Sequence, residues 1–185
     1  MAMRSPLRAL DDYLSRRINR APSRPIALSV PWLSTMLGSL APAWPFIASA
    51  PLMPPLGFMV FIAWRQVRPG LLPIWAGLPL GLFDDIYSGQ PFGSSMVLYS
   101  LAAIAGDAID LRMPWRGFVL DWLIAALALL LYLAFGLQFA NWAGGATQLA
   151  VILPQWLLAV FAYPLTSRFV AVCDRIRLLP IAEAA

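Results

Sequence analysis

Long apolar stretches alternate with short polar connections along this 185-residue chain. A helix that crosses the hydrocarbon core of a bilayer needs about 20 mostly apolar residues, with about 17 as the lower limit. The pattern predicts an all-α, polytopic membrane protein with about six transmembrane helices, of which the second is short. The predicted spans are residues 26–47, 52–64, 71–87, 92–111, 118–142 and 147–167.

The positions of the basic residues give these predicted helices an orientation. All 13 basic residues are arginines, and the first, third and fifth connections contain none of them. Short connections that carry arginine stay on the cytoplasmic side of a membrane. We therefore expect both termini in the cytoplasm. The arginines lie before the first span and after the second, fourth and sixth spans: Arg4, Arg8, Arg16, Arg17, Arg20, Arg24, Arg65, Arg68, Arg112, Arg116, Arg168, Arg175 and Arg177.

The same pattern divides the chain into three parts. Residues 1–25 are predicted to be a cytoplasmic amphipathic segment, residues 26–168 a six-helix transmembrane domain, and residues 169–185 a cytoplasmic tail. In the first part, leucine and isoleucine recur at helical spacing from Leu7 to Ile18, which is typical of a helix that lies on a membrane surface. Apolar residues continue beyond residue 168, so helical structure is expected to extend into the tail.

Composition supports a membrane protein and argues against two other classes. The chain is 61% hydrophobic and 12% charged, whereas a soluble domain is about 25% charged. A net charge of +4 would otherwise suggest a nucleic-acid partner. Here the arginines alternate with apolar spans, so membrane orientation explains them and no nucleic acid is expected. Anionic membrane lipids are the expected contacts of these loops.

The residues available for chemistry are few. The chain has no histidine and one cysteine, Cys173. Histidine is the commonest general base and metal ligand in proteins, and no nucleotide-binding, zinc-protease or serine-hydrolase motif is present. We therefore expect no enzyme activity, no catalytic residue, no metal site and no cofactor.

The most informative segment runs from residue 77 to residue 93. Gly77, Gly81 and Asp85 are four residues apart and share one helix face. Small residues at this spacing let another helix approach closely, and an aspartate there is costly unless it faces protein or water. A tight outer turn is expected to follow, held by hydrogen bonds from Asp85. The candidate partner-binding or packing residues are Gly77, Gly81, Asp85, Gly89, Pro91 and Gly93.

Two interpretations of the paired aspartates, Asp84 and Asp85, are open at this point. They form a polar node on the periplasmic side that serves folding or partner binding, or they are a solvated helix end. Asp85 has the stronger claim to the first role because it continues the glycine face.

A second group of charges lies near the predicted inner boundary. At about 1.5 Å per helical residue, Asp85 and Asp107 differ in depth by about 13 Å, which is too far for a shared proton or one metal ion. The inner-face charge cluster consists of Asp107, Asp110, Arg112 and Arg116. It is a contact site for a cytoplasmic partner or a set of ion pairs that orders the inner loop.

The motif in this segment resembles that of a known family. The pattern G-L-x-x-D-x-x-x-G-x-P-x-G is similar to that of the rod shape-determining protein MreD family. A second, looser similarity is a proline-led apolar run that ends in an aromatic and a basic residue, Pro54 to Arg65, followed by Pro69. The residues that match the first pattern are Gly81, Leu82, Asp85, Gly89, Pro91 and Gly93.

The resemblance implies a function and a location. It implies a non-enzymatic component of the cell-elongation complex in the bacterial inner membrane, which helps control cell shape and lateral peptidoglycan synthesis. The implied direct partner is MreC. Through MreC the implied indirect partners are MreB, RodA and a class B penicillin-binding transpeptidase.

The same resemblance leaves an alternative open. The MreD fold is similar to the substrate-binding subunits of energy-coupling-factor transporters, so a membrane subunit that binds a vitamin-type small molecule is the second possibility. Such a subunit needs a polar cavity open to the outside. The polar residues predicted near the outer face are Gln138, Asn141, Thr147 and Gln148.

Overall fold

A computed structural model describes residues 24–41, 53–145 and 152–178, and within these ranges the chain forms helices and no strand. The all-α prediction is therefore confirmed for this part of the chain. A short 3-10 turn, Ile74–Ala76, directly precedes the third α-helix. The α-helices are α1 (Arg24–Ser39), α2 (Leu56–Val67), α3 (Gly77–Ser88), α4 (Ser94–Arg112), α5 (Phe118–Trp142) and α6 (Ile152–Arg177).

Helix α2 lies at the centre of the molecule. Every residue from Gly57 to Arg65 is buried, and the helix contacts α1, α4, α5 and α6. The Phe58 ring stacks on Tyr132 of α5 with 4.2 Å between centroids, and it meets Tyr99 of α4 edge-on at 5.1 Å. Such ring pairs add to the stability gained from burial alone. The apolar run around Phe58 therefore forms the core against which the other helices pack.

In the described part of the chain, three helices have the length and composition to cross a membrane. They are α4, α5 and α6, with 19, 25 and 26 residues and best-window mean hydropathies of 1.3, 2.4 and 1.5. Between 22% and 28% of the residues in these windows are buried inside the protein, so most of each apolar surface faces outward. An outward apolar surface of this kind fits contact with lipid.

The other three helices are shorter than predicted. Helix α1 has 16 residues, and α2 and α3 have 12 each, against a lower limit of about 17 for a straight span. Pro55 directly precedes α2 and Pro31 lies inside α1, and α3 ends at Ser88, directly before Gly89. Six spans thus remain a prediction, while α5 has the predicted bounds of 118–142.

Parts of the sequence-based prediction fall outside the described residues. These are the amphipathic helix before residue 24 and the outer positions Thr147 and Gln148. At the other end, α6 continues through the predicted boundary at residue 168 as far as Arg177. Helical structure in the first part of the tail is therefore confirmed.

The polar side chains gather at two ends of the helix assembly. Asp107 lies 14 residues after Gly93, which is about 21 Å along α4 at about 1.5 Å per residue. We call the end around Asp84, Asp85 and Ser94 the aspartate end. The other end contains Arg65, Arg68, Arg116 and Arg177 with their ion-pair partners, and we call it the arginine end.

Ion pairs connect α2 to two helices that are distant from it in sequence at the arginine end. The last turn of α2 pairs with α4 through Arg65 and Asp107, and the residue after α2 pairs with α6 through Arg68 and Asp174, at 3.0 Å. The ends of α2, α4 and α6 thus lie together, as expected for helices that alternate in direction.

Candidate functional site

The carboxylate of Asp85 caps the start of α4. It accepts hydrogen bonds from the backbone N–H groups of Gly93 and Ser95, both at 2.8 Å, and from the Ser94 hydroxyl at 3.2 Å. The first N–H groups of a helix have no partner within it, and a negative charge is favourable there. Asp85 is 4% exposed. The predicted hydrogen bonds between the outer turn and Asp85 are confirmed, and the solvated-end interpretation is wrong for this residue.

The glycine face of α3 is covered by α4 of the same chain. A Cβ atom built on Gly81 would lie 2.5 Å from the Ser95 carbonyl oxygen and 2.6 Å from Met96 Cα. A Cβ on Gly77 would lie 2.8 Å from the backbone of Ser100. Of the two roles predicted for Gly77 and Gly81, the structure shows packing. The idea that this face docks a partner helix is corrected, because α4 already occupies it.

The turn between α3 and α4 needs glycine for its backbone conformation. Gly89 and Gly93 have φ angles of 70° and 95°, and a Cβ on either would meet nothing within 4 Å. This left-handed region is costly for other residues. Pro91 lies between them, and its carbonyl oxygen accepts the N–H of Ser94 at 3.0 Å. The turn is a tight one, as predicted, and Phe92 at its tip is 76% exposed.

Asp84 is buried beside a tyrosine from α5. The Tyr132 hydroxyl donates to Asp84 Oδ2 at 2.8 Å, and Asp84 is 5% exposed. The solvated-end interpretation is therefore wrong for Asp84 as well. Ser95 Oγ and the Gln90 amide lie 3.3 and 3.4 Å from the same hydroxyl. Asp84 and Tyr132 are 48 residues apart, and no pattern in the sequence indicated this contact.

A polar cavity of about 180 Å³ adjoins Asp84. The hydroxyl oxygens of Ser39 and Ser88 are buried in its wall and have no hydrogen-bond partner among the described residues. The cavity is smaller than the roughly 300–1,000 Å³ of typical small-molecule pockets. The polar residues that line it are Ser39, Asp84, Ser88, Gln90, Tyr132 and Gln155. Gln138 and Asn141 are not among its described lining residues.

Arg65 is the most buried charge at the arginine end. It is 5% exposed, forms an ion pair with Asp107 and donates to the carbonyl oxygens of Ala103 and Leu72, at 2.8 and 3.3 Å. The sequence predicts Arg65 to be a loop residue that sets orientation, but in the structure this residue is buried. Its position directly after the apolar run of α2 was the available signal that it lies inside the protein.

The other residues of the inner-face charge cluster also form ion pairs. Arg116 pairs with Asp110 and, at 3.0 Å, with Asp121. Arg112 is exposed and forms no ion pair with the described residues. The ion-pair interpretation therefore holds for Asp107, Asp110 and Arg116, while a role in contacting a cytoplasmic partner stays a prediction.

A second link at this end was missed by sequence reasoning. Asp174 of α6 pairs with Arg68 at 3.0 Å and with Arg177 at 2.7 Å. The Arg177 guanidinium also lies 5.8 Å from the ring centroid of Trp64. These contacts attach the end of α6 to α2. The described residues include no group of three acidic, cysteine or histidine side chains placed to hold a metal ion.

Comparison of the chain with protein families, curated proteins and solved structures found no match. The motif in the sequence and the geometry of the two ends are therefore the basis for functional inference.

Proposed function

We propose that this protein is a non-enzymatic, multi-pass protein of the bacterial inner membrane that works as an MreD-type subunit of the cell-elongation complex. One observation carries the proposal. The residues of the motif from Gly81 to Gly93 form one structural unit, in which the glycine face packs on α4 and Asp85 caps α4 across the turn. The spacing in the motif thus has a physical reason in this chain.

The proposed orientation places the arginine end in the cytoplasm and the aspartate end in the periplasm, with six helices crossing the membrane. Arginine-bearing connections stay inside, and the described arginine ion pairs lie at one end of the assembly. The shorter helices α1, α2 and α3 would cross the membrane packed against the longer ones. Burial of α2 by its neighbours supports this, because a helix enclosed by protein need not match the bilayer by itself.

The proposed direct partner is an MreC-type protein, which would connect this subunit to MreB, RodA and a class B penicillin-binding transpeptidase. Because α4 occupies the glycine face, the partner surface lies elsewhere. We place it at the tip of the α3–α4 turn, where Ile86, Tyr87 and Phe92 are 59%, 41% and 76% exposed. Aromatic side chains held on a rigid support are common anchors of protein interfaces.

Co-purification from bacterial membranes tests this surface. A tagged F92A variant should retain much less of the MreC-type partner than the wild type, since truncation of an anchoring residue costs about 2 kcal/mol, or about 30-fold in Kd. The matched control is F118A, because Phe118 is 59% exposed at the arginine end. Equal retention of the partner by wild type, F92A and F118A would remove the α3–α4 turn from the proposal.

A cell-shape assay tests the wider function. In a rod-shaped host that depends on this gene, loss of the protein should give round cells, and F118A should restore the rod shape where F92A does not. Rods that persist without the protein would contradict a role in elongation.

A further inference from the structure

The carboxylate of Asp84 has no positive partner in the described part of the chain. The arginines that form ion pairs there do so with Asp107, Asp110, Asp121 and Asp174, all at the arginine end. Its closest described hydrogen bond comes from the neutral Tyr132 hydroxyl, and the Tyr99 hydroxyl beside it is neutral as well. A buried carboxylate without a cation is costly, and several kcal/mol of hydration are lost on burial.

The neighbouring segments of sequence offer no cation either. Residues 42–52 lie between α1 and α2 in the sequence and residues 146–151 lie between α5 and α6, and neither segment contains arginine or lysine. Neither the described ion pairs nor these two segments thus supply a positive charge for Asp84.

The walls of the cavity supply further acceptors. Ser39 is 2% exposed, and its hydroxyl oxygen has no hydrogen-bond partner among the described residues, as is also true of the Ser88 hydroxyl. The Gln155 amide nitrogen donates to the Met53 carbonyl oxygen at 2.7 Å, which leaves its own carbonyl oxygen available. Buried polar atoms are nearly always paired in proteins, so unpaired ones that line a cavity indicate a missing partner.

We propose that this cavity binds a positively charged group with several N–H donors, an ammonium or a guanidinium, with Asp84 as its counter-ion. Ser39 and Ser88 would accept further hydrogen bonds from the same group. The volume of about 180 Å³ suits one such group rather than a vitamin-sized molecule. The group belongs to a small free amine or to a lysine or arginine side chain of a partner. The site is separate from the surface proposed at Phe92.

Thermal unfolding of the purified full-length protein in detergent tests the proposal. Methylammonium and methylguanidinium chloride should raise the unfolding temperature in a saturable way, as expected for a ligand of the native state. Choline chloride, which has no N–H donor, and sodium chloride at equal ionic strength should not do so. In the D84N variant the amide oxygen still accepts from Tyr132, so the variant should fold, and its response to both N–H cations should be lost.

Two further variants, D121N and S39A, distinguish cation binding in the cavity from a non-specific effect of charge on stability. D121N removes the same charge at the arginine end and should respond to the cations like the wild type. S39A keeps Asp84 and should weaken cation binding about 2- to 10-fold, which corresponds to one hydrogen bond. Without added cation, D84N should be at least as stable as the wild type. An equal response of wild type and D84N, or no response of the wild type to either cation, would overturn the proposal.

The source of the cation is decided by repeating the measurement on the protein co-purified with its partner. A response that is lost in the complex shows that a partner side chain fills the cavity, and a response that persists shows a free ligand. Both results support the site.

Discussion

Substitution of Gly81 by alanine tests the packing of α3 on α4 most sharply. The added Cβ would lie 2.5 Å from the Ser95 carbonyl oxygen, 2.6 Å from Met96 Cα and 2.7 Å from Met96 N. All three contacts are with backbone, which cannot rotate away as a side chain can. The start of α4 must therefore move, and Asp85 binds the same turn of that helix.

The expected change in the free energy of unfolding is the sum of three contributions. Overpacking of a tight interface costs about 1–3 kcal/mol, and weakening of the Asp85 cap adds about 1 kcal/mol. Alanine is a better helix former than glycine by about 1 kcal/mol, which offsets part of this cost. We expect Gly81→Ala to lower the free energy of unfolding by about 1–3 kcal/mol.

The measurement is equilibrium unfolding in mixed micelles with increasing dodecyl sulfate, followed by tryptophan fluorescence. Gly136→Ala is the matched control, because Gly136 is also inside a helix and its Cβ would meet the Gln90 side chain at 3.2 Å, an amide that can shift. That variant should be about as stable as the wild type. If Gly81→Ala is as stable as Gly136→Ala, the close contact between α3 and α4 is wrong.

Three more predictions use the same unfolding measurement. Asp85→Ala should cost about 2–3 kcal/mol, because charge-assisted hydrogen bonds to the start of α4 are lost, and Asp85→Asn should cost less; equal losses would contradict the cap. Asp107→Asn should cost about 3 kcal/mol by leaving the buried Arg65 unpaired, and the added change Arg65→Met should recover part of it; a purely additive double variant would argue against the pair. Trp64→Phe should cost about 1 kcal/mol, since its indole N–H donates to Ser34 Oγ at 2.8 Å; no loss would show that this bond contributes little.

Helices and local spacing were predictable from the sequence. Helix α5 has the predicted bounds because one long, mostly apolar run lies between Gly117 and the glycines after Trp142. The four-residue spacing of Gly77, Gly81 and Asp85 correctly indicated a closely packed face. The sequence did not reveal which helix covers that face, because small residues permit any close neighbour.

The long-range contacts at both ends could not be predicted. Asp84 and Tyr132 are 48 residues apart in sequence, and Arg65 and Asp107 are 42 apart. Each residue alone had a plain local interpretation, such as a helix end or a loop charge. Their pairing depends on how four helices are arranged in three dimensions, and hydrophobic periodicity contains no information on that arrangement. The cavity at Ser39 could not be predicted for the same reason, since its walls come from several separate segments.

Thiol labelling in cells tests the central claim, that the aspartate end faces the periplasm and the arginine end the cytoplasm. Cys173 is the chain's one cysteine, so C173A provides a cysteine-free background. Phe92 and Trp115 are 76% and 96% exposed, at the aspartate end and in the α4–α5 connection, respectively. In spheroplasts treated with a membrane-impermeant maleimide, F92C should be labelled at once and W115C only after the membrane is permeabilised. Labelling of W115C from outside, or of F92C only after permeabilisation, would contradict the account.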